Sequence, residues 1–287
     1  MSNKKIILQN KKIIYICNEK YTFKTLMKKM FTLISPAKAA APDNVPKCKI
    51  KTKTSPQMLD DARIIVDILK NKTPDQLVKI LDCTYGTAEN AKVFYTKFDQ
   101  NTESGKGFPA ISCMEDFVRG VELLAWSAKD FDFIQEHLGI ISSLYGFLRP
   151  CDVVGSYVLP PDTILHTVRG RRITEFWKNC LTAFVKNYIE SRGETQIVNL
   201  MAAVPRREID FSQIKADVYE VSFMEIASTG NLHCTSSWRL NRLRANLVEY
   251  IAQNRVNDIE DLKNFTFEGF CYAPERSEDK MIVYYKV

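Results

Sequence analysis

The chain has 287 residues, 45% apolar and 26% charged, the composition of an ordinary globular protein with room for one large core or two small ones. No apolar run approaches the ~20 residues a membrane helix needs, and Ile13–Cys17, the longest near the start, is too short for a secretory core segment. The net charge of +6 is uneven: residues 1–29 hold eight lysines, no arginine and one acid, Glu19, whereas the remainder carries 32 basic and 33 acidic residues. A globally basic domain is excluded, so any polyanion site must come from local clustering.

Residues 1–29 differ in composition from everything after them, and three readings compete: residues ahead of a true start at Met30, a mitochondrial-type presequence, or a basic arm. Presequences favour Arg and Ser, whereas this stretch has no Arg and a single Ser, and the first reading is preferred. The apolar run Phe31–Ile34 stops at Ser35-Pro36, as a short buried strand does. Lys38 then rides on the turn beyond the strand end, either as a solvated turn lysine or as a group facing a ligand. Ala39 to Ser55 reads as a loop, and Pro56 to Lys70 as a helix with Leu59, Ala62, Ile65 and Leu69 on one face. Thr73-Pro74-Asp75 opens a second helix through Leu81, and Thr84 to Phe98 a third. Asn101 to Gly107 is a loop, Pro109 to Cys113 a strand, and Met114 to Trp126 a helix.

Ser127 caps a helix that closes near Gly139. Ile140 to Tyr145 is a β-rich run before Gly146. Ile173 to Ser191 is an amphipathic helix, Ile197–Leu200 and Asp217–Ile226 are strands, and a long helix runs from Leu232 to Asn254. Short strands at Gly269–Tyr272 and Met281–Tyr285 finish the chain. Helices and strands alternate without repeats, so the fold class is α/β (mixed α+β): a single compact domain over 30–287, a mixed sheet surrounded by helices.

Eight cysteines are scattered without a Cys-x-x-Cys pair, which points to a reducing, intracellular setting and a cytoplasmic location. His137, His166 and His233 lie far apart, so no metal is expected. Nucleotide-cofactor and nucleophile-elbow motifs are absent, and no cofactor is expected. The carboxylates fall at helix starts, where the macrodipole favours them, and demand no acid–base role. Arg149 leaves a tight turn between Gly146 and Pro150; it could meet a phosphate or carboxylate, or pair with Asp152 in a packed turn. Arg169, Arg171 and Arg172 precede one helix, and Arg206-Arg207 follow a strand. On the long helix Arg239 and Arg242 share a face, with Arg244 offset. These arginines suit phosphate neutralisation or a solvated helix face. Trp238 could stack on a base but is expected to anchor its helix in the core.

The hexapeptide Leu33-Ile34-Ser35-Pro36-Ala37-Lys38 resembles the N-terminal signature of the YaaA peroxide-stress family. Ser143-Leu144-Tyr145-Gly146-Phe147-Leu148-Arg149-Pro150 resembles its Gly-Leu-Tyr-Gly-x-Leu-Arg-Pro block, with Ser143 at the first glycine. Glu175-Phe176-Trp177, Asn199-Leu200, Arg242/Arg244, Asn254-Arg255 and Glu268-Gly269-Phe270 fit as well, so the resemblance runs from Met30 to the C-terminus. It implies a compact α/β fold with a positively charged cleft and a helix-hairpin-helix-like element. It also implies resistance to hydrogen peroxide, limiting of free iron, and binding of double-stranded or branched DNA, with Lys38, Arg149, Asn199, Arg242 and Arg244 as the nucleic-acid-binding residues.

The chain also departs from that pattern. Met201-Ala202-Ala203-Val204-Pro205 stands where the family has a small residue, Ser, a variable residue and Glu-Tyr. Ala39 replaces a hydroxyl residue, Val118 a tyrosine, Pro160 a glutamate, and Ala245 a glycine. Three expectations follow: oxidative-stress protection through DNA binding at a local basic cleft, lysine-dependent chemistry on damaged nucleic acid with Lys38 as amine nucleophile, or a scaffold whose site is lost.

Overall fold

In the computed structural model, which describes residues 5–9, 12–16, 29–36, 48–103, 107–114, 119–155, 157–226 and 232–286, the apolar run before Ser35-Pro36 is a strand buried along its whole length. A hairpin of β1 (Lys5–Gln9) and β2 (Lys12–Ile16) precedes it, and the run itself is β3 (Met30–Ile34). The helices α1 (Leu59–Leu69), α2 (Pro74–Leu81), α3 (Tyr85–Thr96) and α4 (Phe98–Glu103) follow. Thr73 caps α2 as the spacing requires, its hydroxyl accepting from Gln76 N while the Gln76 side chain accepts from Thr73 N.

The sequence expectation fails next at 109–126. Phe108–Pro109 (β4) is only two residues long, and Ala110–Cys113 is a 3-10 turn. The turn closes on the segment after Arg149, through Ala110 N to Asp152 O and Ile111 N to Pro150 O. Of the helix expected over Met114–Trp126, 119–120 are helical and 123–125 is a turn, while 115–118, with Val118, lie outside the described residues.

Ser127 and Asp130 form a capping box that opens α5 (Ala128–His137). Gly139 was expected to close that helix; instead it lies inside β5 (Leu138–Ser142). A Cβ there would come within 2.6–3.0 Å of Phe147, Leu33 and Phe31, so the residue is glycine for packing and not for capping. Gly146, at φ +67°, turns the chain into β6 (Gly146–Leu148). β7 (Val153–Val154) pairs with β4, and β8 (Ile164–Thr167) pairs with β9 (Gly170–Arg172). Then come α6 (Ile173–Arg192), β10 (Gln196–Asn199), β11 (Asp217–Ile226) and β12 (Leu232–Cys234). β12 takes the start of the expected long helix, because Leu232–Cys234 pairs back on Met224–Ile226; the helix α7 spans Ser237–Asn254. Helix α8 (Ile259–Leu262), β13 (Thr266–Phe267), β14 (Phe270–Tyr272) and β15 (Met281–Lys286) complete the chain.

Among the described residues nine strands form one mixed sheet in the order β13-β14-β15-β11-β10-β3-β5-β6, with β12 added to β11. β15, β11, β10, β3 and β5 run parallel, whereas β6, β12, β13 and β14 are antiparallel additions. β3, β5 and β10 are buried at every position, as parallel strands covered on both faces must be. On one face Phe31 and Phe147 pack against Phe184 and Tyr188 of α6. Helices α5 and α7 are tied by Trp126 Nε1 donating to Glu249 and by the Asp130–Arg255 ion pair.

Numbered in chain order, the five parallel strands lie as 2-1-3-4-5. The chain leaves the first strand, β3, toward β5 on one side and leaves the third, β10, toward β11 on the other. The topological switch point therefore lies between the carboxyl ends of β3 and β10, the place where open α/β sheets bind ligands.

Candidate functional site

The carboxyl end of β3 is Ser35-Pro36, and that of β10 is Asn199-Leu200-Met201-Ala202. The two are joined by Leu200 N donating to Leu33 O and by Ala202 N donating to the Ser35 hydroxyl at 3.0 Å. Asn199 is buried: its amide donates to both Glu220 oxygens at 3.1 and 2.9 Å, while its Oδ1 accepts from Met201 N. Arg206 also donates to Glu220, from Nε and Nη2 to Oε1 at 3.0 and 2.6 Å. Arg244 reaches the same turn from α7, its Nη2 donating to Met201 O at 3.3 Å. Asn199 and Arg244 thus meet at one turn, with Arg206 added.

The other expected residues are placed elsewhere. Lys38 lies outside the described residues. Arg242 pairs with Glu268 at 2.6 Å; Glu268 and Gly269 hold positive φ in the β13–β14 turn, which aims that carboxylate at Arg239 and Arg242 together. Arg239 also binds Glu225 at 2.8 Å. The expected arginine pair on α7 is therefore held in an acid–base network. Trp238, expected in the core, is 69% exposed. Arg149 leaves β6 three strand positions from β10, about 14 Å at normal strand spacing. It pairs with the fully buried Asp152 and lines a pocket of about 300 Å³ with Thr54, Gln135 and Glu136. The Gly146 segment is a helix followed by a β-hairpin, α5 then β5–β6, with loop and β7 after it and α6 as the next helix. Its turn amides, Leu144 N and Tyr145 N, donate inward to Ser142 Oγ.

Two features were missed in the sequence. A shallow pocket of about 370 Å³ is lined by Lys178 of α6 with Arg206, Arg207, Phe211 and Ser212 and by one acid, Asp210, on or beside the turn that follows β10. Second, Glu208, at the end of the 3-10 turn Pro205–Glu208, is completely buried. Neither of its oxygens has a hydrogen-bond partner among the described residues. Burial pushes its carboxyl well above the usual carboxylate range. The folded protein then holds a proton that the unfolded chain has released, so the contribution of Glu208 to stability is fullest below the unfolded pKa of about 4.3 and is lost as pH rises toward the folded value. The decline is expected to approach ~1.4 kcal/mol per pH unit, the slope of one proton, and to vanish in Glu208→Gln; urea unfolding across pH measures it. An unchanged slope in that variant would assign the proton to another group.

Among the described residues no group of His, Cys, Asp and Glu could hold a metal, and no helix is long and apolar enough to cross a membrane.

The profile of one family, described as peroxide stress protein YaaA, matches residues 30–276. The chain belongs to the YaaA family. Its similarity to individual relatives is low but full-length. A UPF0246 protein of Legionella pneumophila (strain Lens) is 27% identical over 265 residues, covering 90% of this chain and all of the relative. UPF0246 proteins of Bordetella avium (strain 197N) and Desulfotalea psychrophila are each 28% identical over 255 residues, covering 88% of this chain and 98% or 97% of theirs. The YaaA match begins at Met30, so the lysine-rich residues 1–29 stand outside it. Ser35-Pro36 and Asn199-Leu200, both inside the YaaA match, are the two strand ends that meet at the switch point.

Proposed function

We propose that the chain acts in the response to hydrogen peroxide by binding DNA in the cytoplasm and shielding it from oxidative damage. The contact surface in this reading is the turn after β10 with the adjoining part of α6. The family description supports the stress role. The observation that carries the DNA reading is the clustering of Arg206, Arg207 and Lys178 around one shallow pocket, with Arg244 at the base of the same turn. The 258 residues after position 29 have no net basic excess. A patch of three or four cations beside a switch point is the kind of local site such a chain can offer. Arg149, in its own pocket, is a second contact for a long or branched duplex. Arg242 contributes through its ion pair with Glu268, which braces the helix α7 whose other side carries Arg244.

Fluorescence anisotropy with a labelled duplex and a branched junction tests this. Affinity is expected to fall with added salt with a log–log slope near −3, about −0.9 for each phosphate contacted. Lys178→Ala/Arg207→Ala is expected to flatten the slope by about 2. Absence of binding at low salt, or affinity indifferent to salt, would contradict the reading.

A further inference from the structure

The hairpin β8–β9 carries the one arginine cluster of the sequence that the turn after β10 does not use. From Thr163 to Arg172 it holds three arginines, one histidine and no acid. Its residues alternate as a ribbon with one wet face must: Leu165 is buried, whereas Ile164 and His166 face solvent and Ile164 pairs directly with the exposed Arg172. Thr167 pairs with Gly170, so the loop is only Val168-Arg169. Such loops are ordinarily built from Asn, Asp or Gly. Here a β-branched apolar side chain stands at the apex, 86% exposed, more than any other large apolar residue described. The apex is pinned there. Thr167 Oγ1 accepts from Arg169 N and donates to Gly170 O, each at 3.1 Å. Arg169 binds Asp61 of α1 at 2.6 Å and lies over the Phe176 ring at 4.8 Å, and Arg171 N donates to Glu175 at 2.7 Å.

The hairpin also stands beside the turn after β10. Glu175, Lys178 and Thr182 follow one another at i, i+3 and i+7 on one side of α6. Glu175 holds the hairpin, Lys178 lines the pocket with Arg206 and Arg207, and Thr182 Oγ1 accepts from Asp210 N at 2.9 Å. The hairpin is thus attached about 5 Å along the helix axis from Lys178. A two-stranded ribbon fits a groove of duplex DNA, arginines match its phosphates, and an apolar apex is the kind of wedge that proteins set between base pairs. We propose that the β8–β9 hairpin enters a groove of the bound duplex and sets Val168 into a base step that is already weakly stacked, such as one beside a mismatched pair. This rests on the DNA reading above and names the form of DNA it takes. Unstacking a step opposes binding, and a mismatch has already lost part of that stacking, so it lowers the cost of the wedge.

The test is binding of the full chain to two labelled duplexes of one sequence, fully paired and with a single central mismatch, each carrying 2-aminopurine at the neighbouring step to report unstacking. The mismatched duplex is expected to bind about tenfold more tightly, and its 2-aminopurine to brighten on binding. Val168 lies in solvent, so Val168→Ala should fold as the parent does. It should bring the two affinities within about twofold of each other and abolish the brightening. It should keep the salt slope, because it removes no charge. Val168→Ile should retain the preference. Equal affinities in the parent, or a preference that survives Val168→Ala, would overturn the wedge. Salt-dependent binding of both duplexes without a preference overturns the wedge alone. A preference lost in Val168→Ala, together with a slope unaltered by Lys178→Ala/Arg207→Ala, supports the wedge and overturns only the surface after β10. No binding of either duplex at low salt overturns both.

Discussion

Trp177→Ala is expected to lower stability by about 3–5 kcal/mol, the range for a fully buried large aromatic. The indole is completely buried, meets Phe176 edge-on at 5.0 Å, and donates from Nε1 to Ser143 O at 2.7 Å. Truncation opens a cavity and also leaves the Ser143 carbonyl without its donor. The ring further explains Gly146, where a Cβ would come within 2.7 Å of it on a backbone already at φ +67°. Gly146→Ala should therefore be costly alone and partly relieved in the Trp177→Ala background, the residual cost being the left-handed φ. Urea unfolding of the two single variants and the double variant measures this. A loss below about 1.5 kcal/mol for Trp177→Ala would show that the hairpin is held by other contacts.

The second large effect is expected at Asp152. This carboxylate is wholly buried and accepts from Arg149 N at 2.8 Å, Thr54 Oγ1 at 2.5 Å and Arg149 Nη2 at 3.4 Å. Burial raises its pKa, and the hydrogen bond from Arg149 N opposes that rise. The surrounding backbone depends on the same residue, through Thr54 N to Cys151 O, Val153 N to Thr54 O and Ala110 N to Asp152 O. Asp152→Ala removes one half of a largely buried ion pair, leaving a guanidinium whose Nε already has no partner among the described residues. A loss of about 3–5 kcal/mol follows. Asp152→Asn keeps the shape and an acceptor, and should cost less. Against a total stability of roughly 5–15 kcal/mol, either the Trp177 or the Asp152 truncation removes a large share. A cost under 1 kcal/mol for Asp152→Ala would mean that Arg149 is solvated and its pocket is not pinned from below.

The parts of this fold legible in the sequence are those decided locally. Phe31–Ile34 read as a strand because an unbroken apolar run ended by Ser-Pro fits few other structures, and α2 read correctly because Thr73 is an N-cap residue followed by Pro74 at the first helical position. Gly139 misled because glycine after a helix is ordinarily a cap, whereas here Phe147, Leu33 and Phe31 crowd it from three other strand positions. Trp238 misled because burial depends on which side of α7 the sheet lies. Strand order is tertiary information, and with it the meeting of Ser35 with Ala202. The packed-turn alternative for Arg149, pairing with Asp152, was legible from i, i+3 spacing and is what the structure shows. Glu208 was not legible at all. Within Arg206-Arg207-Glu208 it looks like an ordinary surface charge, and only the packing of its turn against α6 puts it inside.

Hydrogen exchange of the full chain with and without a saturating duplex tests the central claim most directly, namely that nucleic acid is held at the turn after β10. The account predicts slowed exchange over residues 201–212 and around Lys178 of α6, with the N-terminal turns of α7 near Arg239 and Arg242 unchanged. Protection confined to that part of α7, or none in 201–212 while the duplex is bound, would contradict it.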